Sequence, residues 1–269
     1  MTARNQENHI LVQHEPPLAW VSINRPAARN ALTTAMWGEL AAIMRTLGAD
    51  ERIRVILLRG AGDKAFIAGA DIVELQTQLA QPEASSEVST ASYQFTVPLL
   101  EAISTLPQPV IAMINGHCMG GGMLIALTCD LRLASTEAQF GIPAVKLGVA
   151  YPPEYGVARL VQAIGATRAA DLLLTGRAVN ASEALQMGLV NRLVPPAELV
   201  NAVRDYGLQL AQGAPLALSA HKMALQQLLP YPHQAAEIAA AVQRCYQSAD
   251  CREGLAAFLE KRPPHFTGK

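Results

Sequence analysis

The sequence predicts an α/β fold with a helical C-terminal appendage, and three observations carry that prediction. Short apolar runs rich in Val and Ile, at residues 53–58 and 110–114, end at Arg59-Gly60 and Asn115-Gly116. Runs this short, separated by helical segments, suit buried parallel strands in a repeating β-then-α arrangement. A turn with three consecutive glycines, Gly120-Gly121-Gly122, leads directly into the apolar stretch at 123–127. From Ala181 onward the pattern is nearly all helical, punctuated at Pro195-Pro196, Ala214-Pro215, Pro230 and Pro232.

In chain order, residues 10–12 and 19–23 read as two strands joined by the Glu15-Pro16-Pro17 turn, so a hairpin opens the fold. Thr33 can cap a helix reaching about Leu47, with Met36, Leu40, Ile43, Met44 and Leu47 on one stripe that should face a sheet. The strand at 53–58 leads through Gly60-Ala61-Gly62-Asp63-Lys64 to Phe66-Ile67-Ala68-Gly69-Ala70-Asp71-Ile72. A polar, Ser-rich stretch at 76–92 should form a covering loop or helix, ahead of an apolar helix near 95–103. The strand at 110–114 and the glycine turn follow, then short strands near 131–134 and 138–140. The loop at 149–156 carries Pro152 and Pro153 and cannot be regular helix. A division into residues 1–195, the core, and 196–269, the helical appendage, is expected.

At 269 residues the chain is long enough for a sizeable core. Hydrophobic residues make up 51% and charged ones only 16%, which implies apolar surface buried between subunits as well as within them. The 21 basic and 22 acidic residues leave a formal charge of −1, without the field that a nucleic-acid binder uses for steering. No apolar run approaches the roughly 18–20 residues of a membrane span, and residues 1–15 lack the apolar core of a signal peptide. A cytoplasmic protein is expected. Cys118, Cys129, Cys245 and Cys251 form no C-x-x-C pair and no His/Cys cluster at zinc spacing, so reduced, packed thiols are expected rather than disulfides or a metal site.

Glycine runs cost backbone entropy and are kept where φ is positive or another group comes close to the main chain. Ahead of an apolar helix, the uncovered N–H groups and the positive end of the helix dipole can face an oxygen that carries or develops negative charge. Ala68-Gly69-Ala70 supplies a second such turn. Two donor turns on neighbouring β-α units are what a carbonyl clamp requires; on spacing alone, two tight turns with no ligand explain the pattern equally well.

Several ordered motifs nevertheless match one family. The segments at 25–32, 66–72 and 109–116, the glycine run with Cys129-Asp130, Gln139-Phe140-Gly141, Leu147-Gly148, Arg159-Leu160, Leu174-Thr175-Gly176, 184–190 and 258–262 together resemble the crotonase (enoyl-CoA hydratase/isomerase) superfamily almost end to end. The resemblance implies a crotonase-like spiral of β-β-α units with a C-terminal helical trimerisation region. It implies a homotrimer or dimer of trimers acting on acyl-CoA thioesters in fatty acid metabolism, with no cofactor beyond the CoA carried by the substrate. The family's two oxyanion donors fall on the N–H groups of Ala68 and Gly121, beside Gly120. Ala68, Gly69, Ala70, Asp71 and Ile72 would line the pantetheine and adenine path. Ala28 and Arg29 would flank the nucleotide and Lys261 would reach a CoA phosphate; solvated surface charge is the equal alternative for Arg29 and Lys261.

The departures from the family pattern narrow the chemistry. Family hydratases carry one glutamate two residues after the glycine run and another shortly before Leu-Gly, and the pair activates water and delivers a proton. Here those positions hold Leu124 and Ala144, which exchange no proton. Glu154, in the loop after Leu147-Gly148, lies close in sequence to where some isomerases of the family place a single acid. It is either a proton shuttle for converting 3-enoyl-CoA to 2-enoyl-CoA or an exposed loop carboxylate. Tyr151 resembles an aromatic hydroxyl of the family's decarboxylase branch; the alternative is a pocket wall. His117 either reaches the site or packs against the turn. Hydration by another route and a non-catalytic acyl-CoA-binding protein remain as further readings.

Overall fold

The structure, a computed structural model, describes residues 8–74, 84–147, 151, 153–227, 249, 250, 253, 260 and 262–269. The chain opens on the hairpin β1 (Ile10–Glu15) and β2 (Leu18–Ile23), paired antiparallel. Helix α1 (Thr34–Gly48) follows, with Met36, Leu40, Met44 and Leu47 buried as the apolar stripe requires. Thr33 occupies the N-cap in extended geometry without a side-chain cap bond; the N–H of Thr34 donates instead to Glu74 Oε2 at 2.8 Å.

The next segments alternate between two sheets. β3 (Val55–Gly60), β5 (Val110–Ile114) and β7 (Leu131–Ser135) enter a six-stranded sheet, while β4 (Ala65–Ile67), β6 (His117–Met119) and β8 (Gln139–Gly141) enter a four-stranded one. Strands β2, β3, β5 and β7 run parallel in the first sheet, and β4, β6 and β8 in the second. Each successive strand pair therefore turns the chain once around the core, and this is the spiral of β-β-α units. β5 is buried at all five positions, which explains why it reads as an unbroken apolar run.

Helix α2 (Ala84–Thr105) packs along α1 and is longer than the apolar segment at 95–103 suggested. Helix α3 (Gly121–Thr128) is buried at every position from Gly122 to Thr128, as a helix apolar on all sides must be. A π-helical turn (Pro153–Ala158) leads into α4 (Arg159–Ile164) and α5 (Ala166–Thr175). This is the departure from regular helix that the two prolines predicted.

The C-terminal third is not purely helical. β9 (Ala178–Asn180) closes the small sheet, and after α6 (Ala181–Met187), capped by Asn180, β10 (Arg192–Val194) joins β7 in the large one. Three-residue edge strands carry too little alternation to be seen in sequence. Helix α7 (Leu199–Ala211) lays Leu199 and Val203 on Leu18, Trp20, Val55 and Leu57, so residues just beyond 195 belong to the core of the sheet. Helix α8 (Pro215–Gln227) is pinned by Lys222, whose Nζ meets Asp130 Oδ2 at 2.8 Å and donates to the carbonyls of Ile103 and Gln108. No helix among the described residues is long and apolar enough to cross a membrane.

Candidate active site

Two glycine-bearing turns meet at the end of the small sheet. Gly120 follows β6 with φ 49° and ψ −112°, and Gly69 follows β4 at φ +113°; both conformations favour glycine. The turns are so close that a β-carbon on Gly121 would lie 3.5 Å from the Ala70 nitrogen, and one on Gly69 would lie 3.6 Å from the Gly121 nitrogen. A β-carbon on Gly122 would fall 2.1 Å from the Ile67 carbonyl oxygen, which fixes how tightly the first turn of α3 seats on β4.

The hydrogen bonds decide which amides face outward. Ala68 N–H donates to the Arg29 carbonyl at 3.1 Å, so it is spent inside the fold and is not the donor that the sequence assigned. Leu32 N–H donates to Gly69 O and Asp71 N–H donates to Leu32 O, a parallel bridge centred on Ala70. In such a bridge the central residue's own N–H points the other way. Ala70 is exposed and its N–H takes no acceptor among the described residues. Gly121, as first residue of α3, leaves its N–H outside the helical ladder. The structure therefore pairs Gly121 with Ala70 rather than with Ala68.

The surroundings hold this pair rigidly. Asn30, fully buried at φ 59°, donates to the carbonyls of Ala61 and Ala65 and accepts from Arg25 N–H. Asp71 accepts from Arg25 through two nitrogens at 3.1 Å, and its other oxygen caps the helical turn at 72–74 through the amides of Val73 and Glu74. Partial burial pushes the Asp71 carboxyl up, but the Arg25 guanidinium and those amides outweigh it and hold the group below the usual carboxylate range. Asp71 thus braces the turn. Ile72 and Val73 stand exposed beside Ala70. The buried Trp37 ring lies against Gly121: a β-carbon there would meet Cζ2 at 3.0 Å.

Gly156 lies between the Tyr151 ring and Leu124 of α3. A β-carbon on Gly156 would lie 2.6 Å from Tyr151 Cδ1 and 3.1 Å from Leu124 Cδ2. The Tyr151 hydroxyl donates to the Gly120 carbonyl at 3.2 Å, and desolvation pushes its phenol well above the ordinary value, so it stays neutral. Leu124 is buried and Ala144 packs half-buried against the same core. Glu154 lies in the π-helical turn, its side chain outside the described ones, and Lys261 lies outside the described residues.

Other candidates lie elsewhere. Ala28 ends a 3-10 turn at Pro26–Ala28, and Arg29 is exposed at φ 50°. Arg29 lines a cavity of about 510 Å³ at the opposite end of β6, with Lys64, Asn115, His117 and Glu137; none of Ala70, Gly121, Leu124 or Tyr151 lines it. His117 therefore belongs to the far end of β6 from the two donor turns. Cys118 and Cys129 are free, buried thiols, and Cys129 is pushed up to about 12, chiefly by burial. Cys245 and Cys251 lie outside the described residues. No three His, Cys, Asp or Glu side chains among the described residues gather as a metal ligand set.

Sequence reading singled out neither the outward N–H of Ala70 nor the Trp37 ring against Gly121. Ala70 could be found only with its partner Leu32 in view, because the motif does not say which amide the bridge consumes. Trp37 sits beside Met36 on α1 and reads simply as core.

The family model described as enoyl-CoA hydratase/isomerase matches residues 14–269. A short-chain-enoyl-CoA hydratase of Clostridium acetobutylicum is 34% identical over 261 residues, spanning 95% of this chain and 96% of that protein. A crotonyl-CoA hydratase of Syntrophomonas wolfei is 35% identical over 97% of this chain and 98% of its own length. The crystal structure of an enoyl-CoA hydratase/carnithine racemase from Magnetospirillum magneticum superposes with a TM-score of 0.87 at 37% identity, covering 98% of this chain and 97% of that one.

Proposed function

Because the chain belongs to the enoyl-CoA hydratase/isomerase family, we propose that it holds the carbonyl oxygen of an acyl-CoA thioester between the N–H groups of Gly121 and Ala70. The reaction it supports best is the shift of a 3-enoyl-CoA to a 2-enoyl-CoA. The observation that carries this reading is the pair of outward amides on two turns so close that a β-carbon on Gly121 would meet the Ala70 nitrogen at 3.5 Å, with no ionisable group at positions 124 and 144.

The chemistry needs no activated water. A base takes a proton from C2, the electron pair moves into the carbonyl to give an enolate, and the two amides stabilise the oxygen's charge. The enolate then collapses, the double bond moves from C3–C4 to C2–C3, and the same proton is returned to C4. One carboxylate can do both transfers. Glu154 is proposed for that role because its turn packs on Tyr151 and Leu124 beside α3. Exposed Ile72 and Val73 suit the pantetheine path, Ala28 and Arg29 are proposed to flank the nucleotide, and Lys261 is proposed to reach a CoA phosphate. A trimer or dimer of trimers is proposed, in keeping with exposed Leu174, Leu185 and Leu225.

Glu154→Gln tests the base. It should abolish isomerisation while acyl-CoA binding, read by calorimetry, survives; full activity in that variant would remove Glu154 from the mechanism. Hydration is the second reading, favoured by the named activities of the Clostridium and Syntrophomonas relatives. It would require an acid and a base supplied from positions other than 124 and 144. Decarboxylation through Tyr151 is less well supported, since that hydroxyl already donates to Gly120.

A further inference from the structure

The peptide joining Gly120 to Gly121 has two ends that matter. Its N–H, on Gly121, is one of the two outward donors. Its carbonyl, on Gly120, accepts three hydrogen bonds: from Met123 N–H at 2.9 Å, Leu124 N–H at 3.2 Å and the Tyr151 hydroxyl at 3.2 Å. The first two belong to any helix start. The third arrives from a residue 31 positions away.

We propose that Tyr151 is a positioning residue that orients and polarises the Gly120–Gly121 peptide, and so sets the strength of the Gly121 N–H as an oxyanion donor. This rests on the thioester-clamp reading above and assigns Tyr151 no contact with the reacting carbons. Hydrogen bonds in series polarise one another, so donation into a peptide carbonyl strengthens the N–H at its other end, by roughly 10–30% per bond. The hydroxyl also acts mechanically. With φ 49° and ψ −112°, Gly120 lies where a side-chain-bearing residue would be strained, and glycine alone leaves the peptide plane soft. A hydroxyl anchored by a packed ring removes that softness. The ring lies so close to Gly156 that a β-carbon there would meet it at 2.6 Å, and its neutral phenol is a donor.

The test uses butyryl-CoA labelled with 13C at the thioester carbonyl, a saturated ester that binds without double-bond migration. Its carbonyl stretch is recorded free, bound to the wild-type protein and bound to Tyr151→Phe. The wild-type protein should lower the stretch, and the variant should return it part of the way to the free value. In parallel, turnover of 3-enoyl-CoA should fall about 3- to 10-fold with KM little changed, the size expected of one neutral hydrogen bond. Gly156→Ala, which keeps the hydroxyl but forces the ring to move, should shift the stretch in the same direction and serves if Tyr151→Phe does not fold. An unchanged stretch in folded Tyr151→Phe, or in Gly156→Ala where that is the variant that folds, overturns the proposal. If the wild-type protein itself leaves the stretch at the free value, the clamp reading fails, and with it the role assigned to Tyr151.

Discussion

Gly122→Ala should be among the most damaging single-methyl changes in this protein, and the structure says how. The new β-carbon would fall 2.1 Å from the Ile67 carbonyl oxygen and 3.0 Å from both the carbonyl carbon and Cβ of Ile67. An ordinary C–H···O contact needs about 3.3 Å, so α3 and β4 must separate by roughly 1 Å at this point. Overpacking of that size costs about 1–3 kcal/mol of stability. The larger effect is on turnover, because Gly121 sits on the same helical turn. Displacing a reacting group by about 1 Å costs on the order of a hundredfold, and losing one oxyanion donor costs about 10²–10³. The control is Gly38→Ala in α1, exposed and with nothing within 4 Å of its β-carbon. The same methyl there should stabilise by about 0.5–1 kcal/mol through helix propensity and leave activity alone. Steady-state turnover and urea unfolding on the same preparations read both effects. A Gly122→Ala protein with turnover within a few-fold of wild type would refute the close seating of α3 on β4 as the determinant of the donor geometry.

Other perturbations follow from the same contacts. Lys222→Met should destabilise by about 3–5 kcal/mol in urea melts, because it strands a partly buried carboxylate. Asp130 would keep the Val110 N–H at 2.7 Å while the carbonyls of Ile103 and Gln108 lose their donor; a loss below about 1 kcal/mol would show the pair to be idle. Asp71 titrates below its ordinary 3.8 in the folded protein, so its contribution to stability is complete above that value and disappears as the pH falls through the lower, folded one. Thermal melts at acid pH should show a shallower acid limb for Asp71→Asn than for wild type, and an identical limb would remove Asp71 as a brace.

Much of this fold is legible in the sequence because burial and periodicity coincide. The stripe on α1 and the continuous runs of β3 and β5 are placed by pattern alone, since each buries one stripe or both faces. β10 is hidden because three residues at a sheet edge are held by pairing with β7 rather than by their own pattern. The site divides in the same way. The glycine turns are visible because only glycine tolerates their backbone, but the choice between Ala68 and Ala70 depends on Arg29 and Leu32, some forty residues earlier in the chain. Tyr151 stands out as a loop aromatic, whereas its partner, a main-chain carbonyl, has no sequence signature.

The central claim is that the outward amides of Gly121 and Ala70 support enolate chemistry while Leu124 and Ala144 leave no carboxylate pair to activate water. Incubating the protein with 3-enoyl-CoA and weighing the products by mass spectrometry tests it directly. The account predicts conjugated 2-enoyl-CoA at unchanged mass. Accumulation of 3-hydroxyacyl-CoA, heavier by one water, as the main product would contradict it.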